Sequence, residues 1–426
     1  MPNALEILAE RGFIYQSTDA AALSEHLRQP PVTFYVGFDP TADSLHIGHL
    51  LPIMAMRCLQ DCGHRPIALV GGGTALVGDP SGKTEARPVL THAEIAANAA
   101  AIQAQLSRFL DFADGRALLL NNAEWLTSLN YIEFLRDIGR HFSVNRMLAA
   151  ESVRQRLESG LSFLEFNYML LQAYDFYVLR RDRDCTLQLG GQDQWGNIVA
   201  GIDLTRRIMQ REVYAVTFPL LLKSDGEKFG KTAAGAVWLD AARTSPFDYY
   251  QFWRNVDDRE VQKLLAFFTL LPIAEVRRLA ALPAPAVNRA KEILAFEATA
   301  LAHGQAEAAR GYLAAGSEFG FADPDGRIPT GSRITEARPQ TQPAELPTYH
   351  ISQHDLNSGI RVSKLLVDAG LCASNNEARR LVRGGGCYLG DERVGDENRT
   401  IAPSDFQAHQ LVLRAGKKNR RRIVLT

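Results

Sequence analysis

Apolar positions in the first half of the chain recur in two rhythms. Short runs of β-branched, aromatic and leucine residues at 32–36, 65–70, 117–120, 185–191 and 213–222 predict buried strands. Between them lie longer segments with apolar residues three and four apart, which predict helices. One opens at His46 and stops at Gly63, and a second covers 91–112, with Thr91 as cap and Glu94 at the capping-box position. A third starts near Trp195. Residues 1–30 read as two short helices, and 124–182 as mostly helical with aromatic faces. Strand-then-helix units predict an α/β fold with a parallel sheet and a ligand site at the strand C-termini.

From Ser245 the strand signal fades, and helical runs continue to about Gly320. Residues 321–349 carry Pro324, Pro329, Pro339, Pro343 and Pro347 and few large apolar side chains, which predicts an extended linker. A small basic module follows. The expected organisation is therefore 1–244, with a helical insertion at about 124–182, then a helical domain 245–320, a linker 321–349 and a last domain 350–426.

Composition narrows this little. With 46% hydrophobic and 22% charged residues the chain is not of the disordered class, and a net charge of −1 gives no whole-chain pull on a polyanion. Five scattered cysteines fit reduced thiols. Cys58, Cys62 and His64 fall short of the four ligands of a structural zinc site, so no protein-held metal is expected. Glu6, Glu10, Asp19 and Glu25 argue against a targeting peptide, and no apolar run reaches about 18 residues. A cytoplasmic location is expected.

Candidate chemistry gathers in a few stretches. Residues 32–50 read strand, tight turn, helix N-terminus, a geometry that offers unpaired N–H groups to an anion. His46 and His49 stand at that N-terminus, where they serve equally well as helix caps. The GDPSGKT stretch is not a P-loop: Gly78 and Gly82 are one residue too close, and Val77 stands where the glycine belongs. GGGTAL, ending in Leu76, fails as a dinucleotide fingerprint. Asp79 remains, placed after a strand to meet an ammonium. Tyr168, Gln172 and Asp175 fall at i, i+4 and i+7, on one helix face. Lys228 and Lys231 lie among Gly226, Gly230 and Gly235, which suits a movable loop.

HIGH after a strand, GDPSGK, GGQDQWGN and KFGKT, in this order, resemble the bacterial-type tyrosyl-tRNA synthetases, class I enzymes with a Rossmann-like catalytic domain. The resemblance spans nearly the whole chain. It implies ATP-dependent activation of tyrosine and transfer to tRNA(Tyr), with magnesium accompanying ATP, and a homodimer built through the helical insertion. Adenylate formation needs no proton transfer at nucleophile or leaving group, so positioning and charge stabilisation suffice. The resemblance gives that work to Thr41, His46, His49, Lys83, Arg87, Lys228 and Lys231. It gives the tyrosine hydroxyl to Tyr35 and Asp175, the ammonium to Asp79, Tyr168 and Gln172, and the carboxylate to Gln194. Asp39, Gly48, Gly191, Asp193, Leu220 and Leu221, with Lys231, fall on the ATP side. Gln192 and Pro52 depart from the pattern of many relatives and bear on ATP affinity. The C-terminal stretch resembles an S4-like RNA-binding fold, small and α+β, with Arg361, Lys364, Arg379, Arg380, Arg383, Lys417 and Lys418 as tRNA contacts. The sister enzyme for tryptophan and a non-catalytic RNA-binding descendant are the rival readings. Tyr35 with Asp175 argues against the first, and the intact signatures argue against the second.

Overall fold

The computed structural model describes residues 3–81, 90–157, 160–224, 226–232, 235–337, 348–390, 392–406, 410–416 and 419–425. Lys83, Arg87, Lys417 and Lys418 lie outside them, and of Lys231 only the backbone is described. The chain divides into two compact units, residues 1–312 with 322–336, and residues 313–321 with 337–426.

The first unit is organised by a six-stranded sheet of order β1-β6-β5-β2-β3-β4, comprising β1 (Gln16–Ser17), β2 (Thr33–Phe38), β3 (Arg65–Val70), β4 (Leu118–Asn121), β5 (Cys185–Gly191) and β6 (Tyr214–Phe218). β2 to β6 are mutually parallel, and β1 runs antiparallel to β6. Helices cover the sheet, so central strands are apolar on both sides; Ile67, Ala68 and Val70 of β3 are fully buried. β2 runs two residues past the apolar run, to Phe38, because β3 supplies partners as far as Val70. β6 stops at Phe218, four residues short of the apolar run, since Pro219 has no N–H to give the ladder. The helix predicted over 91–112 spans His92–Leu106; the Thr91–Glu94 capping box is formed at its start.

Helices Pro246–Arg254, Val261–Phe268, Ile273–Ala280 and Val287–His303 follow the sheet. Tyr249, Tyr250, Trp253 and Phe268 are fully buried among them, and aromatic groups of that size stabilise by about 1.5–3 kcal/mol each. Residues 322–336 depart from the extended linker predicted from 321. Ile334 is 1% exposed, Asp323 accepts the N–H groups of Arg327 and Ile328, and Ser332 donates its hydroxyl to Glu297. One isoleucine and a set of carboxylate-capped turns anchor this proline-containing stretch, a signal too sparse for periodicity to show.

The second unit is a five-stranded sheet of order β11-β10-β12-β13-β9, built from β9 (Thr348–Ile351), β10 (Cys387–Leu389), β11 (Glu392–Val394), β12 (Gln410–Ala415) and β13 (Asn419–Leu425). Helices Val362–Asp368 and Asn375–Arg383 share its core through Leu365, Leu366, Ala378 and Val382, packed with Cys387, Leu413 and Ile423. The basic C-terminal stretch is thus largely an inner strand of a sheet and not a solvated tail, with β13 paired to both β12 and β9.

Candidate active site

Where β2 ends, the chain turns through Asp39 to Ser44 and enters the helix Ile47–Asp61, whose N-terminus overlooks the C-terminal ends of the parallel strands. His46 is the N-cap. Its Nδ1 accepts the Gly48 N–H at 3.0 Å, while His49 Nδ1 accepts the His46 N–H at 3.2 Å, and the rings stack at 4.0 Å. With both Nδ1 atoms acting as acceptors, the ring hydrogen of each neutral imidazole sits on Nε2, a donor. Capping and ligand contact are therefore compatible, because they use opposite ends of the ring. Gly48 is required by the fold-back: a Cβ there would stand 2.7 Å from His46 Cε1.

The two histidines line a cavity of about 610 Å³. Of the sequence-predicted residues, Tyr35, Asp39, Thr41, Gly48, Asp79, Tyr168, Gln172, Asp175, Gly191, Asp193, Gln194, Leu220 and Lys228 line it as well. Leu221 lines an adjoining cavity of about 300 Å³, which shares His46, Gly48, Gly191, Asp193, Leu220 and Lys228 with the first.

One end of the large cavity is lined by deeply buried side chains with a few polar groups among them. Tyr35 is 1% exposed, its ring 5.4 Å from that of Phe176. Burial, with the Asp175 charge next in size, pushes its phenol well above the usual range, so it stays protonated. Asp175, from the helix Tyr168–Arg183, accepts the Trp125 indole N–H at 2.7 Å and the Asn122 amide at 2.9 Å. Its carboxyl is pushed up to about 7 by burial, which those two hydrogen bonds partly offset. The Tyr35 hydroxyl and the Gln188 amide oxygen are buried and have no hydrogen-bond partner among the described residues. Both side chains line the cavity. Buried polar atoms are seldom left unpaired, so this end is complete only when a polar ligand group enters.

The middle of the cavity is acidic. Tyr168 donates its hydroxyl to Asp39 Oδ2 at 2.9 Å, and Thr74 donates to Asp39 Oδ1 at 2.8 Å. Asp79 accepts the Ser81 N–H at 2.9 Å and the Gln194 amide at 2.8 Å. Burial, then repulsion from Asp39, raises the Asp79 carboxyl to about 6. A cation bound between them would relieve both effects. The glycine triplet after β3 finds its reason here. A Cβ at Gly71 would lie 2.0 Å from Asp39 Oδ1, and one at Gly72 would lie 2.4 Å from Asn121 Oδ1. Gly191 is constrained likewise, with Asp193 Oδ1 2.4 Å from where its Cβ would be. Gln192 donates nothing to the cavity itself; its amide oxygen accepts the Leu220 N–H at 3.2 Å, tying the end of β5 to the segment after β6.

Sequence reading missed Thr74, Asn122, Trp125, Gln188 and Asn197. Asn197 donates to Gln172 Oε1 at 3.1 Å and so orients it. Trp125 read as part of an apolar face; only the fold brings its indole N–H to Asp175. Among the described residues no group of three or more His, Cys, Asp or Glu could hold a metal ion.

A mostly parallel sheet with a polar cleft at its strand C-termini is the architecture of the open α/β ligand-binding class. Residues 27–318 match the family of tRNA synthetases class I (W and Y), and the chain belongs to that family. Residues 340–422 match the tyrosine–tRNA ligase SYY-like C-terminal domain. The chain is similar at full length to a tyrosine–tRNA ligase of Desulfosudis oleivorans, 52% identical over 436 residues and covering 99% of each chain. It is 49% identical over 423 residues to that of Clostridium tetani, again over 99% of each. Among solved structures it is similar to a C-terminally truncated mitochondrial tyrosyl-tRNA synthetase of Aspergillus nidulans, with TM-score 0.67 and 31% identity, covering 74% of this chain and 93% of that one.

Proposed function

We propose that this chain is a tyrosine–tRNA ligase that joins L-tyrosine to ATP in the 610 Å³ cavity and then passes the tyrosyl group to the 3′ end of tRNA(Tyr). The carrying observation is that Asp175 and the Tyr35 hydroxyl both line the same buried end of the cavity. An incoming phenol hydroxyl donates to Asp175 and accepts from the Tyr35 hydroxyl, which otherwise has no partner among the described residues. Phenylalanine and tryptophan leave those groups unsatisfied, the kind of rejection for which tyrosyl enzymes are the usual illustration. The substrate ammonium lies between Asp79, Tyr168 and Gln172, and Gln194 stands by its carboxylate.

The carboxylate oxygen then attacks the α-phosphorus, and the bond to the departing pyrophosphate breaks. His46 and His49 donate from Nε2 to the phosphates, Thr41 and Lys228 add donors on the same side, and Lys83, Arg87 and Lys231 complete the cationic set. Asp193 and Gly191 hold the ribose, and the segment Leu220–Leu221 flanks adenine, with Asp39 and Gly48 bordering the nucleotide. Magnesium enters with ATP. In the second step the ribose hydroxyl of the tRNA terminus attacks the tyrosyl carbonyl and AMP leaves. Tyrosine-dependent ATP–pyrophosphate exchange is the test. Exchange that responds to tryptophan, or to no amino acid, would remove the tyrosine assignment.

Residues 1–244 are the catalytic domain in this reading, 245–320 the anticodon-side helical domain and 350–426 the RNA-binding domain. Five unpaired thiols suit a cytosolic location, and among the described residues no helix is long and apolar enough to cross a membrane. A homodimer through the insertion 124–182 is supported by exposed apolar side chains there, among them Ile132 and Phe163 at 70% each. Sedimentation showing only monomer at micromolar concentration would count against it.

A further inference from the structure

The segment from Leu222 to Gly230 carries Lys228 to the cavity. Its exit is anchored by Phe229, 7% exposed, whose ring meets Phe252 at 5.1 Å and Trp253 at 5.7 Å. Its entry is held differently, by three polar groups from one stretch of the helical region. Lys263 Nζ donates to the Leu222 carbonyl at 2.7 Å, Arg259 donates to Ser224 Oγ at 2.8 Å, and the Ser224 N–H donates to the Glu260 carboxylate. Glu260 is 5% exposed, and its backbone is the N-cap of Val261–Phe268. Its side chain makes no capping hydrogen bond to that helix, so the helix itself gives no reason for a buried carboxylate there. Charge-assisted bonds to backbone groups are the strong ones, and at the entry of a glycine-containing loop whose exit is packed by Phe229 they restrict where the intervening lysine can go.

We propose that Glu260 and Lys263 are positioning residues that clamp the entry of the Leu222–Gly230 segment and so set where Lys228 meets the leaving pyrophosphate. The inference rests on the reading of Lys228 given above. Neither residue touches substrate. Each fixes a backbone group of the loop, Glu260 an N–H and Lys263 a carbonyl, which leaves the tyrosine end of the cavity alone.

The test uses the full chain with Glu260→Ala, Glu260→Gln and Lys263→Met, read by tyrosine-dependent ATP–pyrophosphate exchange, tyrosine KM and thermal unfolding. Glu260→Ala and Lys263→Met should each lower exchange kcat by about tenfold, with tyrosine KM within about twofold of the parent. Glu260→Gln keeps an acceptor for the Ser224 N–H and should recover most of the loss. Trypsin should cut after Lys228 faster in both defective variants. Parent-like kcat in folded variants, or a tyrosine KM that rises in step with the loss, overturns the proposal. If Glu260→Ala does not fold, Lys263→Met carries the test, since its side chain is half-buried and its loss opens no core. Lys228→Ala separates the two readings. Undiminished exchange in that variant defeats the role given to Lys228, whereas a defective Lys228→Ala beside an undiminished Lys263→Met defeats the clamp.

Discussion

Asp79 and Asp175 are buried carboxylates that their surroundings make reluctant to ionise, and each has a consequence at the scale of one side chain. Asp79 titrates near 6 in the folded chain against about 3.9 when unfolded. Between those values the folded state holds a proton that the unfolded state has lost, so this group's contribution to stability falls as pH rises from about 4 to about 6. Asp79→Asn should therefore stabilise the protein by about 2–3 kcal/mol at pH 7.5 and by little at pH 4, measured by urea unfolding at the two pH values. The same variant should lose tyrosine activation, and in the parent kcat/KM for tyrosine should decline as pH falls from about 7 to below 6, as Asp175 and then Asp79 take up protons. Asp175→Asn should lower kcat/KM for tyrosine by roughly 100-fold or more while leaving the fold in place, because the amide still offers one acceptor to Trp125 or Asn122. The spacing of Tyr168, Gln172 and Asp175 was readable because a helix repeats on a known period. Asn122 and Trp125 were not, because their role depends on a strand end and a helix separated from Asp175 by about fifty residues of chain.

Elements show where local rules suffice and where neighbours overrule them. The start of the Ile47–Asp61 helix was legible in its turn residues and histidines, and the Thr91–Glu94 box in its spacing. Strand ends were less so: β2 was lengthened by its partner β3, and β6 was cut by a proline. The connection after β3 is the sharpest case. Gly71, Gly72 and Gly73 matched no nucleotide fingerprint, yet each lets the backbone pass where a methyl would meet Asp39, Asn121 or Leu126. Gly71→Ala should displace Asp39 from Thr74 and lower exchange activity by at least about tenfold at unchanged secondary structure, checked by exchange kinetics beside circular dichroism.

At the scale of the molecule, the sheet class and the basic character of the last module could be read from apolar rhythm and charge clustering. The packing of residues 322–336 could not, because one buried isoleucine and a few capped turns carry it. The exposed arginines of the C-terminal unit are also not equal. Arg383 is engaged by Glu397 through two hydrogen bonds at 2.8 and 2.9 Å, whereas Arg379 and Arg380 lie exposed on the same helix. Charge reversal of Arg379 and Arg380 together should weaken tRNA charging and flatten its salt dependence by about two phosphate contacts, leaving ATP–pyrophosphate exchange as it was. Arg383→Glu should act chiefly through the loss of its own ion pair.

The chain has four tryptophans, and three of them touch residues to which the proposed function gives a part, or the loop that carries Lys228. Trp125 holds Asp175, Trp238 meets the His46 ring edge-on at 5.9 Å, and Trp253 packs on Phe229. If the proposed function holds, the protein carries its own optical probes, one for the amino acid, one for the nucleotide and one for the loop. Emission should shift when tyrosine arrives, again when ATP is consumed, and separately when the loop is disturbed. Replacing Trp125 with phenylalanine should remove the first signal, weaken the ATP-dependent one because Asp175 loses a hydrogen bond, and spare the loop signal.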